Sequence, residues 1–444
     1  MARNYRNKEH EWGERRIMMI AVVFALTLIM GMPIAFALGT TGIFHAFLMG
    51  ETSLFTMLPQ RMFSATVNSS LMAIPLFVLA GELMGFGGIT EKLADMARSF
   101  IGHIKGGLSY VVVVVGIFLG ALLGSANAAA ALLGRVLKPE MDKDGYDDVF
   151  SVCLISATSI MSPIIPPSMT LIVYGVTAQL SIGDLFFAGI IPGILMGIGF
   201  MFLIYIIGRK KTTIEWPIQP KVNWKMRLIS VGKAIPALMI PVVILGGIIG
   251  GITTPTESAA TASFVAFIVG AFVYKKLRWH DIPIILERTA TTSASIMLIV
   301  AMANILGWTL ALDQIPQLIA NTLLSLTQNK YVFLLLLNII LLLVGMVMET
   351  FAAVIILVPV LLPAATSLGI DPLHFGLVMC LNLTIGLLTP PVGVALFTAS
   401  TVTQVSLNRL IKPIWTWLGI AIVVLMIITY FPIITTFLPY TLLH

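Results

Sequence analysis

The chain has 444 residues, of which 58% are hydrophobic and 10% charged, and its net charge is +6; the mean hydropathy is +1.01. A soluble chain carries about 25% charged residues, so a single water-soluble core is excluded, and no run of alternating ten-residue segments suggests a membrane β-barrel. The basic excess sits in loops and marks membrane topology rather than a nucleic-acid partner.

In chain order, residues 1–16, "MARNYRNKEHEWGERR", are too polar to be a signal peptide and are expected to be a cytoplasmic anchor by the positive-inside rule. Apolar blocks long enough to cross a bilayer follow at Ile17–Leu48, Leu185–Ile207, Tyr331–Val347 and Leu418–Phe437. The basic stretch Gly208–Lys233, with Arg209, Lys210, Lys211, Lys221, Lys225, Arg227 and Lys233, divides the chain into near-equal halves and is also expected in the cytoplasm. The expected organisation is therefore an anchor (1–16), a first repeat (17–207), a linker (208–233) and a second repeat (234–444).

The halves share more than hydropathy. Pro166-Pro167 in "PIIPPSMTLIVYG" and Pro390-Pro391 in "LLTPPVGVALFTA" are separated by 224 residues, as are Gly145 and Gly369, Pro139 and Pro363, and Ser125 and Glu349. Arg61 and Arg288 are related at a separation of 227. Membrane proteins of this kind are commonly built from internal repeats.

Within each half, a Gly/Ala-rich block precedes a proline-broken segment. Leu108–Leu137 contains "GSANAAAALLG"; as one helix it would span about 45 Å at ~1.5 Å per residue, against a hydrocarbon core of ~30 Å. A re-entrant hairpin with its tip at Ser125–Asn127 fits better, with one tilted helix as the alternative. The matching tip is Glu349–Thr350.

The broken segment Ser156–Leu171 carries Pro163, Pro166 and Pro167 together with Ser159, Ser162 and Ser168. Proline breaks the helical hydrogen-bond ladder, and irregular backbone survives at membrane depth only inside protein or beside a cavity. The freed carbonyls and hydroxyls are hard oxygens suited to an alkali cation. The adjacent half-helix N-terminus suits an anion.

Other ionisable residues in apolar surroundings are Glu82, Glu257, Glu349 and Arg135, each a functional candidate. For Glu257, Thr254-Pro255 favours helix capping. Glu349 could bind a cation, carry a proton or pair with an arginine. Cys153 and Cys380, far apart and in apolar segments, read as core residues, and the tyrosines and tryptophans as interfacial anchors. There is no phosphate loop, zinc motif or convincing hydrolytic triad, so an enzyme is not expected, and neither is a cofactor.

The phrases "LMAIPLFVLAGELM" (71–84), "GYDDVFSVCLISATSIMSPIIPPSMTLIVYG" (145–175), "SIGDLFFAGIIPGILMG" (181–197), "GGITTPTESAA" (250–260) and "LTPPVGVALF" (388–397) resemble the large membrane subunit of tripartite ATP-independent periplasmic (TRAP) transporters. The likeness runs from about Ile17 to the end. It implies an all-α polytopic protein of the bacterial inner membrane, with two inverted repeats, each holding a re-entrant hairpin and a proline-broken helix. It also implies sodium as the coupling ion and an elevator-like step. The implied partners are a separate small four-helix membrane subunit and a periplasmic solute-binding protein that delivers an acidic solute such as a dicarboxylate or sialic acid, with a zwitterion such as ectoine also open. Carried onto this sequence, substrate contacts fall to Ser125, Asn127, Ser168, Thr350 and Val392. Sodium ligands fall to Ser159, Ser162, Pro163, Gly386, Thr389 and Glu349. The region Ser125–Ala128 is poorer in hydroxyls than the family pattern, which puts Asn127 forward as a replacement ligand.

Inverted halves need an odd number of crossings each. A cytoplasmic N-terminus and a cytoplasmic linker then require one extra crossing near the N-terminus, within Ile17–Leu48. Rival functions are a stand-alone sodium/carboxylate symporter of related fold, a channel, and a membrane scaffold without transport.

Overall fold

A computed structural model describes residues 2–50, 53–209, 218, 220–390 and 392–442. Pro391 of the second proline pair, and Lys210 and Lys211 of the linker, lie outside the described residues. The described chain is helical: α1 (Ala2–Ile29), α2 (Ile34–Leu48), α3 (Ser53–Thr66), α4 (Ala73–Phe86), α5 (Ile89–Ile101), α6 (Gly107–Leu123), α7 (Ala126–Lys143), α8 (Asp148–Ser159), α9 (Met169–Ala178) and α10 (Ile182–Arg209). After the linker come α11 (Trp224–Ile249), α12 (Pro255–Ile268), α13 (Ile282–Leu312), α14 (Ile315–Leu326), α15 (Lys330–Val347), α16 (Thr350–Ser367), α17 (Pro372–Gly386), α18 (Val394–Thr403), α19 (Leu407–Tyr430) and α20 (Ile433–Leu442).

The duplication is structural as well as sequential. Gly145 and Gly369 both turn the chain at positive φ (81° and 71°), a conformation glycine adopts without steric penalty. Two residues later, Asp147 and Asp371 cap α8 and α17: Asp147 accepts from Phe150 N at 2.8 Å, and Asp371 from Leu373 N at 2.7 Å. Such caps satisfy amides that a helix start leaves unpaired. Contacts between halves are reciprocal, with α2 packed on α13 and α12 on α4, and with α7 on α18 and α16 on α9.

Two groups of helices result. α1–α5 with α11–α14 form a scaffold, and α6–α10 with α15–α20 pack against it. α4 bends by 64° into α5 at Gly87-Gly88, where Gly88 has φ +73°. A second joint, between α3 and α4 at a short 3₁₀ turn (Ser69–Met72), has no counterpart in the second half, where the matching region is the single helix α13 of 31 residues. A capping box starts α12, with Glu257 accepting from Thr254 N at 2.7 Å, which bears out the capping role of that acid.

Polar contacts assign ends to faces. Lys105, in the α5–α6 turn, reaches Gly208 O at the end of α10 (3.4 Å); Tyr274 OH donates to Lys233 O (2.7 Å); Lys276 lies 3.5 Å from Glu91. All of these sit on the linker face. Arg98 of α5 meets Glu140 of α7 at 2.6 Å, so α6 leaves the linker face and α7 returns to it. On the distal face Tyr430 OH donates to Tyr331 O (3.4 Å) and Tyr440 OH to Asp371 (2.6 Å), so α15 and α16 enter and return there. Both pairs are re-entrant hairpins opening to opposite faces, as inverted repeats require. Tyr331–Val347, apolar enough to cross, is therefore a hairpin arm.

Ion pairs place the start of the apolar region relative to the linker. Arg16 pairs with Asp313 at 2.9 Å, and His45 with the same carboxylate at 3.2 Å. Asp313 ends α13, about 46 Å along the helix from its start at ~1.5 Å per residue. Arg16 thus sits on the distal face, opposite the linker. Among the described residues α1 and α2 match α11 and α12, and the unmatched helix is α20.

Cys153 and Cys380 are free and fully buried. The aromatic expectation holds for Trp279 (82% exposed) but not for Trp417 (2%), whose ring lies 5.9 Å from both Phe150 and Phe200. Tyr174 is also core, its hydroxyl donating to Pro372 O at 2.6 Å.

Candidate functional site

The proline-rich stretch does what its chemistry demands. α8 stops at Ser159, residues 160–167 unwind, and α9 restarts with Ser168 as its N-cap, accepting from Leu171 N at 3.2 Å. Ser168 Oγ donates in turn to Pro163 O, so one freed carbonyl is used internally. Pro166-Pro167 is a cis peptide. In the second half α17 stops at Gly386, and Gly393, at φ +50°, precedes α18.

Small residues bring hairpin 1 (α6–α7) onto the first break. A Cβ added to Gly116 would fall 2.0 Å from Thr158 Cγ2, one at Gly120 would fall 3.3 Å from Ser162 Cα, and one at Gly124 would fall 2.9 Å from Met169 N. Three glycines one turn apart thus follow Thr158, Ser162 and the Ser168 region. Gly124 (φ +59°) makes the tip, and Ser125 follows directly. The same tip meets the second break, where Ala126 packs with Leu387, Val394 and Ala395. Ser125 and Asn127, which flank Ala126, are therefore held between both breaks, close to the start of α9 and the start of α18.

Hairpin 2 (α15–α16) approaches the second break by backbone contact. A Cβ at Gly345 would lie 2.7 Å from Leu383 O, and one at Gly386 would lie 2.5 Å from Gly345 C. Its tip carries Glu349, the α16 N-cap residue, and Thr350. Glu349 is half-buried, and its carboxylate makes no hydrogen bond or ion pair among the described residues; no arginine neutralises it there.

The oxygen inventory is uneven. Ser159 Oγ donates to Ser156 O (2.7 Å) and Thr389 Oγ1 to Ile385 O (3.1 Å), each keeping lone pairs. Ser162 Oγ, Thr350 Oγ1 and Asn127 Oδ1 are buried without partners. Buried polar atoms are nearly always paired, and these three lie on the first break and on the two hairpin tips.

Two further orphans escaped the sequence reading. Thr158 Oγ1 and Asn382 Oδ1 are fully buried without partners, one turn before Ser162 and Gly386. They are separated by the same 224 residues as the prolines, and extending that spacing to polar residues upstream of each break would have found them. Asn382 is fixed by its amide, which donates to Asn338 Oδ1 (2.7 Å) and Asn338 O (3.0 Å); Asn338 in turn donates to Thr429 Oγ1 (3.1 Å).

With this geometry in view, the relatives are informative. Residues 21–434 match the family described as the tripartite ATP-independent periplasmic transporter, DctM component. An isethionate TRAP transporter permease protein, DctMQ, of Oleidesulfovibrio alaskensis is 39% identical over 93% of this chain, but this chain spans only 65% of that longer protein. A C4-dicarboxylate TRAP transporter large permease protein of Pseudomonas aeruginosa is 38% identical over 85% of this chain and 88% of its own length. Among solved structures, the Alcanivorax borkumensis YdaH transporter, described as having an unusual topology, aligns with a TM-score of 0.59 over 85% of this chain and 87% of that one. At 15% identity that likeness speaks for the fold alone. These relatives are transport permeases rather than enzymes. Duplicated halves with paired hairpins, joined to a family match along nearly the whole chain, lead to one conclusion: the chain belongs to the DctM family, the large membrane permease component of TRAP transporters.

Proposed function

We propose that this chain is the permease subunit of a sodium-coupled importer of a small organic anion, working in a bacterial inner membrane with a small membrane subunit and a periplasmic binding protein. The observation that carries this reading is the junction of hairpin tips with broken helices, where buried oxygens lack partners. Ser159, Ser162, Pro163 and the orphan Thr158 are the first cation candidates. Gly386, Thr389, Glu349 and the orphan Asn382 are the second. Ser125, Asn127, Ser168, Thr350 and Val392 border the space for the solute, with the α9 and α18 N-termini offering amides to its anionic group. The basic linker marks the cytoplasmic face, so hairpin 1 opens inward and hairpin 2 outward. α6–α10 with α15–α20 then move as an elevator against the scaffold. The relatives named for isethionate and C4-dicarboxylate support an acidic solute.

Reconstitution with both partners tests the reading. Solute uptake should require a sodium gradient and the binding protein; uptake of free solute by this chain alone would favour a stand-alone symporter. For the elevator step, a Gly85→Cys, Leu132→Cys pair is bridged by a short bis-methanethiosulfonate reagent across the seam where an added Cβ at Gly85 would lie 3.9 Å from Leu132 Cδ1. The bridge should arrest uptake and its reduction should restore it. Undiminished uptake in the cross-linked protein would rule out relative movement at this seam.

A further inference from the structure

The hairpin tips leave two arginines unused. Between hairpin 1 and the scaffold lies a cavity of about 210 Å³, lined by Gly81, Glu82 and Gly85 of α4, Leu132 and Arg135 of α7, and Arg288 of α13. Arg288 Nη1 is 3.7 Å from Glu82 Oε2, and its guanidinium lies 5.2 Å over the Phe86 ring. Arg135 has no carboxylate partner among the described residues; its Nε donates only to Ala131 O of its own helix, at 3.3 Å. Two guanidinium groups against one carboxylate leave the lining with an excess positive charge.

The position is as informative as the charge. Arg288 is in the second turn of α13, near the linker face, and Arg135 is two turns along α7 from Asn127, about 12 Å at ~1.5 Å per residue. The cavity thus lies between the tip and the linker face. The glycines of α4 keep it open: a Cβ at Gly85 would find its first neighbour only at 3.9 Å. Both arginines are exposed, so their guanidinium groups are open to a ligand, and such groups match carboxylates and sulfonates in shape. The volume is below the roughly 300–1,000 Å³ of ordinary drug-sized pockets, so the matching ligand is small.

We propose that this cavity is an anion vestibule on the cytoplasmic route. The acidic group of the solute passes from the hairpin tip to Arg135 and Arg288, and Glu82 is displaced from Arg288 while the anion is bound. Glu82 then competes for Arg288 and keeps the hold weak, so the solute departs. This deepens the solute reading of the tip and rests on it.

Charge-selective labelling tests the vestibule without requiring transport. Val136 lines the cavity, and the native cysteines are buried, so Val136→Cys in the full-length reconstituted chain reports on it alone. Reagents are added from the linker side: anionic methanethiosulfonate ethylsulfonate and its cationic trimethylammonium counterpart, each normalised to its rate on a small free thiol. The anionic reagent should react about tenfold faster, because one unit charge at ~6 Å in water shifts each rate by roughly threefold in opposite directions. Arg135→Gln should erase the preference and Arg135→Lys should keep it, which separates charge from misfolding. Succinate or isethionate should slow labelling, and Arg288→Gln should remove that protection. Equal rates for the two reagents, or a preference with no protection by either anion, would overturn the vestibule. Sodium is not needed for labelling, so failure of the tip cation sites would leave this readout unaffected.

Discussion

Replacing Ser162 by alanine separates a cation ligand from a mere structural orphan. Ser162 is 1% exposed and its hydroxyl has no partner. A buried unsatisfied group costs about 1–3 kcal/mol, so in sodium-free choline buffer the alanine variant should unfold at the same temperature as wild type or higher. Sodium should reverse the order. At a concentration a hundredfold above its Kd, sodium stabilises the native protein by about 2.7 kcal/mol. If losing one oxygen ligand weakens binding tenfold, about 1.4 kcal/mol, the increment at the same concentration falls to roughly half. Thermal unfolding of the purified chain in sodium chloride and in choline chloride reads both quantities. An equal sodium increment in variant and wild type would refute Ser162 as a ligand. Lower stability of Ser162→Ala in choline would give the hydroxyl a structural role instead.

Other outcomes are accessible to the same stability assay. Gly386→Ala should destabilise at or above the usual overpacking range of about 1–3 kcal/mol, since the added methyl meets the Gly345 backbone at 2.5 Å, whereas Gly307→Ala, inside α13 with nothing within 4 Å, should stabilise by up to about 1 kcal/mol; equal effects would deny the close crossing of α15 and α17. Tyr174→Phe should cost about 1 kcal/mol by removing the bond to Pro372 O, and no change in unfolding midpoint would contradict that bond. Thr254→Ala should lose about 1 kcal/mol of capping at the start of α12, with sodium-driven uptake unaltered; lost uptake at unchanged stability would instead assign Glu257 to transport.

The breaks and the duplication were legible because proline and left-handed glycine act locally: Pro163, Pro166 and Pro167 cannot continue a helix whatever surrounds them, and Gly145 and Gly369 keep one backbone shape in both halves. The hairpin in Leu108–Leu137 was legible because a helix of that length overruns the bilayer. Tyr331–Val347 is long and apolar enough to cross, and its role as a hairpin arm was not legible because an apolar arm that turns back has the same composition as one that crosses. The place of Arg16 was not legible for a related reason: the charge rule weighs lysines and arginines locally, but Arg16 is tied to Asp313, 297 residues away. Nothing adjacent to Arg288 announces Glu82, nor does anything beside Trp417 announce Phe150 and Phe200. Thr158 and Asn382 were within reach, but their significance lies in lacking partners, which only three dimensions disclose.

The undivided α13 opposite the jointed α3–α4 has a mechanical consequence. A rod fastened at one end by Arg288 to Glu82, and at the other by Asp313 to Arg16 and His45, transmits displacement along its length, whereas its jointed twin absorbs part of it. Two gates mounted on supports of unequal compliance do not open against the same resistance. In the elevator proposed above, the two resting orientations of such a carrier would therefore differ in energy even with identical solutions on both sides, and an unloaded population would favour one of them.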